Sequence, residues 1–251
     1  MFGNLYIVST PIGNIKDISA RGKEVLLGAD VVLAEDTRVS GKLLKLLEVK
    51  VKKLSSYHAH SGELKKLEIL KCLTEGKNVA LMSDAGTPGI SDPGNELIDY
   101  ILEKEPMIKV HPVPGPSALS AALSVCGFDV TRFVFASFLP KKRRRKLFTR
   151  VKKSGFAFVF FDSPRRLCAT LEELCGYFGN ERRVFVGREL TKVHETHYRG
   201  TLSDVAENLN EKKVKGEVVV VVEKEKKKAL RCVAGKNRTS ISGLGNPRSI
   251  R

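Results

Sequence analysis

Three turns rich in proline and glycine carry the residues best suited to hold a ligand. They are Thr10-Pro11-Ile12-Gly13-Asn14, the twelve-residue run 83–94 (SDAGTPGISDPG), and Pro114-Gly115-Pro116-Ser117. Each follows a short apolar run, which places it at the carboxyl end of a predicted strand, where open α/β sheets bind ligands. Glycine and proline in such turns let the backbone approach a ligand closely and present its N–H and C=O groups. None of the three fits G-x-G-x-x-G or G-x-x-x-x-G-K-[ST], so the dinucleotide and P-loop readings fail on their own signatures. One such turn does no more than end a strand; three at corresponding ends suggest a pocket.

Four carboxylates are candidates for general-base chemistry: Glu35 and Asp36 in Glu35-Asp36-Thr37-Arg38, Glu189 in Arg188-Glu189-Leu190-Thr191-Lys192, and Glu195. Asp36 stands equally well as the partner of Arg38 in a structural ion pair. A metal centre is not expected. His58 and His60 are two apart with no third ligand in view, and His194 and His197 read as packing or surface residues. The five cysteines are odd in number, scattered, and form no C-x-x-C pair, which disfavours disulfide frameworks and zinc sites and fits a reducing cytoplasm.

The net charge of +16 is concentrated. Residues 141–153 hold nine Lys/Arg and no acid, and residues 224–251 hold nine Lys/Arg and one acid, so the rest of the chain lies within one charge of neutral. Two basic patches on a balanced body point to a polyanion, because each neutralised phosphate releases condensed counterions. Lys141, Lys142, Arg143, Arg144 and Arg145 are the candidate phosphate contacts. Tyr57 and Phe138 are candidate stacking partners for an unpaired base.

The elements that must position these groups alternate between β-branched runs and helical spacing, an α/β pattern that predicts a largely parallel sheet. Strands are expected at 5–9, 31–34, 79–82 and 108–113, and again at 133–138, 156–161, 184–187 and 218–222. Helices are expected at 19–27, from Ser40, over 64–73, up to Leu102, over 117–125, after Arg166, and over 202–209. This divides the chain into an N-terminal α/β domain (1–115), a second α/β domain (116–223) and a basic tail (224–251) without hydrophobic period. No stretch reaches the ~18 apolar residues of a membrane span, and residues 1–10 read as a strand, not a targeting signal, so a cytoplasmic location is expected.

The runs 10–14, Ala34-Glu35-Asp36-Thr37-Arg38, 83–94 and Pro114-Gly115-Pro116-Ser117-Ala118 resemble the tetrapyrrole methylase superfamily. Within it they are similar to the subgroup that modifies small-subunit ribosomal RNA. Phe138-Leu139-Pro140-Lys141, Ser163-Pro164-Arg165-Arg166-Leu167, residues 188–192 with His194-Glu195, Arg199-Gly200-Thr201-Leu202 and Lys215-Gly216-Glu217 extend the likeness over about residues 4–223. The resemblance implies two α/β domains, a homodimer, and S-adenosylmethionine in the cleft between the domains. The implied reaction is methylation of the ribose 2′-hydroxyl of a cytidine, on the RNA or on the assembled small subunit. Pro11, Asp84, Ala85, Gly86, Gly89, Ser117 and Ala118 are the implied donor-site residues, with Phe161 and Arg188 from the second domain. Asp36 and Glu189 remain the leading base candidates. Two other readings stand beside this one: methylation of a tetrapyrrole precursor, and a non-catalytic RNA-binding assembly factor. One departure is that relatives often continue into a helical C-terminal segment, which residues 224–251 do not resemble.

Overall fold

In the computed structural model, which describes residues 1–210 and 214–225, the chain forms two five-stranded sheets. The tail reading falls almost wholly on residues 226–251, outside the described residues.

The first sheet has strands β1 (Leu5–Val8), β2 (Val31–Ala34), β3 (Leu54–Ser56), β4 (Val79–Met82) and β5 (Val110–Val113) in the order β3-β2-β4-β1-β5. All its pairings are parallel. Strands β2 and β4 are buried at every position, as central strands covered on both faces must be. Alternate residues feed opposite cores. Val32, Ala34, Ala80 and Met82 meet Leu26 of α1 (Ala20–Gly28) and Leu44 of α2 (Thr37–Leu46). Val31, Leu33, Val79 and Leu81 meet Leu73 of α3 (Glu63–Thr74) and Leu97 of α4 (Asn95–Lys104).

The second sheet contains β6 (Phe133–Phe138), β7 (Ala157–Asp162), β8 (Arg183–Arg188), β9 (Thr196–Thr201) and β10 (Val218–Val222), ordered β6-β7-β10-β8-β9. Here the expectation of a largely parallel sheet holds only for β6 and β7; the other three pairings are antiparallel. The reason is β9, which sequence reading missed. It is joined to β8 by a short connection without a helix and must return antiparallel. Its residues, THYRGT, are polar and mostly half-buried at the sheet edge, so they lack the apolar signature of a core strand.

The five valines of β10 split between two faces. Val218, Val220 and Val222 pack with Phe148 of α6 (Arg145–Ser154), Leu171 of α7 (Leu167–Phe178) and Leu209 of α8 (Leu202–Asn210). Val219 and Val221 pack with Ala122 of α5 (Ala118–Val125), with Leu190, and with Ile12 from the first β1 turn. This last cluster joins the two sheets across a shared apolar contact.

Candidate active site

A cleft of about 350 Å³ opens between the sheets, within the range of small-molecule sites. One side is built from Ile12 after β1, the turn after β4, and Ser117 and Ala118 where α5 begins. The other side is built from Phe138, Phe161 to Pro164 at the end of β7, Leu190 after β8, and Gly216 to Val219 entering β10.

The three turns are stitched into one rim. Gly86 pairs with Thr10 in both directions: Thr10 N–H donates to Gly86 (2.9 Å), and Gly86 N–H donates to Thr10 (3.1 Å). Gly86 sits at φ +86, a left-handed conformation that costs a side-chain-bearing residue energy and glycine very little. Thr10 Oγ1 donates to the Ser83 carbonyl (2.9 Å). Thr87 then links the second turn to the third by donating to the Pro116 carbonyl (3.1 Å).

The rim concentrates acids. Asp84 accepts from Ser40 Oγ (3.0 Å) and from the Asp36 N–H (3.4 Å), both on Oδ1. No described group donates to its Oδ2. Asp92 accepts from Ser83 Oγ. Burial pushes the Asp92 carboxyl above its ordinary pKa, with the Ser83 hydrogen bond opposing and the Asp84 charge adding to the rise. Glu35 is raised for the same reasons, burial first and then the charges of Asp92 and Asp84.

A raised acid destabilises the native state once ionised. Its stability contribution is complete below the unfolded-state value of about 3.9 and is lost as pH rises through the folded value. Asp92→Asn, which can still accept from Ser83, is therefore expected to be more stable than the parent at neutral pH. The gain should vanish in acid. Urea unfolding at pH 7 and pH 3.5 checks this, and equal midpoints at pH 7 would sink it.

Asp84, Ala85, Gly86, Ser117, Ala118 and Phe161 line the cleft as the sequence suggested, whereas Pro11, Gly89 and Arg188 do not. Pro11 is buried beneath the rim. Gly89 accepts from Asn95 Nδ2 (3.0 Å) and so braces the long turn. Arg188 donates to the carbonyls of Lys215 (2.6 Å) and His194 (3.1 Å), tying down the segments beside β8 and β10.

Neither leading base candidate faces the cleft. Asp36 is the N-cap of α2, not a residue ahead of a helix starting at Ser40. Its Oδ1 accepts from the Arg38 N–H (2.8 Å), and its Oδ2 from Arg38 Nη2 (2.7 Å). The Arg38 side chain holds it far below the usual carboxylate range. Glu189 braces the entry to β10: its Oε1 accepts from the Glu217 N–H (2.8 Å) and Lys192 Nζ (2.9 Å). Burial opposes its charge, yet those two donors hold it below its ordinary value. A Cβ on Gly216, at φ +93, would lie 2.5 Å from the Glu189 carboxylate, so only glycine fits above this brace.

Two more expectations are corrected. Arg144 is buried: Nε donates to the Pro140 carbonyl (2.7 Å), and Nη1 to Thr170 Oγ1 (2.9 Å) and Glu173 (3.2 Å). It anchors the basic loop and is closed to phosphate, while Lys141, Lys142, Arg143 and Arg145 are exposed. Tyr57 is 2% exposed and lies in the first-sheet core, closed to any base. Asp92, Ser163 and Pro164 stood inside quoted runs of the sequence without being assigned to the site, and Asp162 was not singled out; all four line the cleft. The wall of Asp162, Ser163 and Pro164 had a sequence signal: a proline within three residues of a strand end, as at Pro11 after β1 and Pro114 after β5.

Residues 4–206 match the family model of the Tetrapyrrole (Corrin/Porphyrin) Methylases. The chain belongs to this family. Among curated relatives named ribosomal RNA small subunit methyltransferase I, that of Thermotoga maritima is 44% identical over 88% of this chain and 98% of its own. The relative from Escherichia coli O157:H7 is 40% identical over 89% of this chain and 79% of its own. Among solved structures, a cobalt precorrin-4 methyltransferase superposes with a TM-score of 0.67 at 20% identity, covering 88% of this chain and 94% of that one. Uroporphyrin-III-C-methyltransferase from Thermus thermophilus superposes at 0.59 with 22% identity, covering 87% and 94%. At those identities the structures establish the shared two-domain fold.

Enzymes of this family take their methyl group from S-adenosylmethionine, and the methylase's cleft suits that donor. Ile12, Phe161, Leu190 and Val219 form apolar walls of a size to take a flat base, and Asp84 and Asp92 place carboxyl groups on the same cleft. The first turn of α5 borders the cleft at Ser117 and Ala118, and its N-cap Ser117 makes no side-chain cap, which suits its N–H groups to an anion.

Proposed function

We propose that this methylase transfers the methyl group of S-adenosylmethionine to the ribose 2′-hydroxyl of a cytidine in small-subunit ribosomal RNA. The observation that carries the reading is a donor-sized, acid-bearing cleft bordered by Phe138, which the exposed cations Lys141, Lys142 and Arg143 follow three to five residues on. The names of the relatives in Thermotoga maritima and Escherichia coli support the choice of RNA.

The bound donor supplies a methyl already activated on a positively charged sulfur, so the chain's task is orientation. Asp84, whose Oδ2 has no described protein donor, would hold the cationic end, and the α5 amides would hold the carboxylate. The walls keep the acceptor oxygen in line with the transferring carbon, an alignment that contributes up to ~7–11 kcal/mol. Asp92 lies on the cleft with its proton affinity raised, and accepts the hydroxyl proton. A base in this role adds roughly 10²–10⁴-fold. Asp36 and Glu189 serve as supports. We take the enzyme to act as a homodimer in the cytoplasm; among the described residues no helix is long and apolar enough to cross a membrane.

The test is to incubate the protein with labelled donor and small ribosomal subunits from a strain lacking the modification, then digest the RNA and read nucleosides by mass spectrometry. A 2′-O-methylcytidine supports the reading, and an RNA without a new ribose methyl overturns it. The basic loop gives a separate check. Replacing Lys141, Lys142 and Arg143 with alanine is expected to reduce the slope of log affinity against log salt by about 2, at roughly 0.7 per single-strand phosphate contact. An unchanged slope would make the loop a solvated surface.

A further inference from the structure

We infer that Phe138 is the stacking platform for an unpaired nucleobase of the substrate RNA, positioning the acceptor nucleotide at the mouth of the cleft. This rests on the RNA reading above and names the residue that would hold the base.

Phe138 is 61% exposed where it ends the edge strand β6 and lines the cleft. A large aromatic open to water at the border of a cleft offers its face to a ligand entering there. Its exposure has a local cause. The register of β6 against β7 shifts between Phe135 and Phe138, and Ser137 sits at φ +51. An irregularity of this kind re-aims the side chain that follows it, here leaving Phe138 open to solvent.

The ring is held where it stands. Its edge leans on Phe161, with centroids 5.4 Å apart at 60°, and Phe161 is braced in turn by Phe135 at 5.2 Å and 73°. Across the cleft, Ser137 Oγ hydrogen-bonds Ser91 Oγ (2.8 Å), and Ser91 also has a left-handed backbone, φ +76. This contact ties the end of β6 to the long acidic turn. Ile90, 43% exposed, lines the same lip. The platform is therefore a fixed aromatic face with an aliphatic neighbour, spanning both domains.

Charge decides the occupant. Lys141, Lys142 and Arg143 are exposed three to five residues beyond Phe138, and their root is pinned by buried Arg144. An aromatic face next to fixed cations matches a nucleotide with its base on the ring and its phosphates on the loop, the combination used for single-stranded nucleic acid. A protein or lipid partner would explain the ring but not, in addition, a run of three exposed cations that no described acid pairs, next in sequence to a donor cleft.

The experiment uses the full chain and small ribosomal subunits lacking the modification, with Phe138→Ala, Phe138→Leu and Phe138→Trp compared to the parent. Stacking predicts that Phe138→Ala and Phe138→Leu lower kcat/KM for RNA by about tenfold or more, while Phe138→Trp stays within about threefold. Because the ring also borders the donor cleft, donor affinity by equilibrium dialysis should fall far less than kcat/KM for RNA in Phe138→Ala and Phe138→Leu. Parent-like kinetics in Phe138→Ala, or full activity in Phe138→Leu, overturns the inference, since apolar packing would then suffice. Weakened donor binding in step with kcat/KM also overturns it, placing the ring in the donor pocket. If the parent itself methylates no RNA, the proposed function fails, a result distinct from all of these.

Discussion

Asp162→Ala is expected to destabilise the protein by about 3 kcal/mol, at the lower end of the range for breaking a buried charge pair. The Asp162 side chain has no exposure. It accepts from the Ser163 N–H (2.8 Å), from Thr170 Oγ1 (2.6 Å) and from Arg166 Nη2. Removing it leaves a guanidinium with 28% side-chain exposure facing a void; partial hydration of Arg166 is why the lower end applies. The damage should spread, because Thr170 also receives Arg144 and Arg166 reaches the Leu139 carbonyl (3.3 Å). Both arginines fix the base of the loop carrying Lys141, Lys142 and Arg143. RNA affinity is thus expected to fall along with stability, while Asp162→Asn, which preserves shape, should lose less. Urea midpoints with unchanged m-values give the stability, and a loss under 1 kcal/mol for the alanine variant would show the network to be dispensable.

Asp84→Ala is expected to weaken S-adenosylmethionine binding by about 30- to 100-fold, or roughly 2–3 kcal/mol, as truncating one partner of a buried charge pair does. Asp84 lines the cleft, and both of its protein donors use Oδ1, which leaves Oδ2 for the ligand. The variant also strands buried Ser40 Oγ, a penalty of about 1 kcal/mol in stability. Asp84→Asn separates the two effects, since it can still accept from Ser40 but carries no charge. Equilibrium dialysis should find both variants impaired. Parent-like affinity in the asparagine variant would show that Asp84 acts only as a hydrogen-bond acceptor within the turn.

These two aspartates also show how much of the site was legible beforehand. Asp84 stood out because it sits in a glycine- and proline-rich run at a strand end, a local pattern readable from neighbouring residues. Asp162 occupies a similar strand end, yet its weight comes from Arg166, Thr170 and, through Thr170, Arg144. Of these, Arg144 lies in a lysine–arginine run whose members look alike in the sequence. Only one of them turns inward, and a one-dimensional charge count cannot say which.

The sequence by itself determined the parallel first sheet, since runs such as VVLA and VALM must be covered on both faces. It also determined the three turns that line the cleft, whose glycines and prolines set backbone conformation residue by residue, and the family to which those turns are similar. Only the tertiary structure decided the rest. It joined Thr10 to Gly86 and Thr87 to Pro116, turned β9 back as a polar edge strand, and tied Asp36 and Glu189 to neighbouring cations. It buried Tyr57 while leaving Phe138 open. The physical reason is common to all of them. Backbone conformation is governed by each residue and its neighbours, whereas the charge state and exposure of a side chain depend on partners brought in from distant parts of the chain.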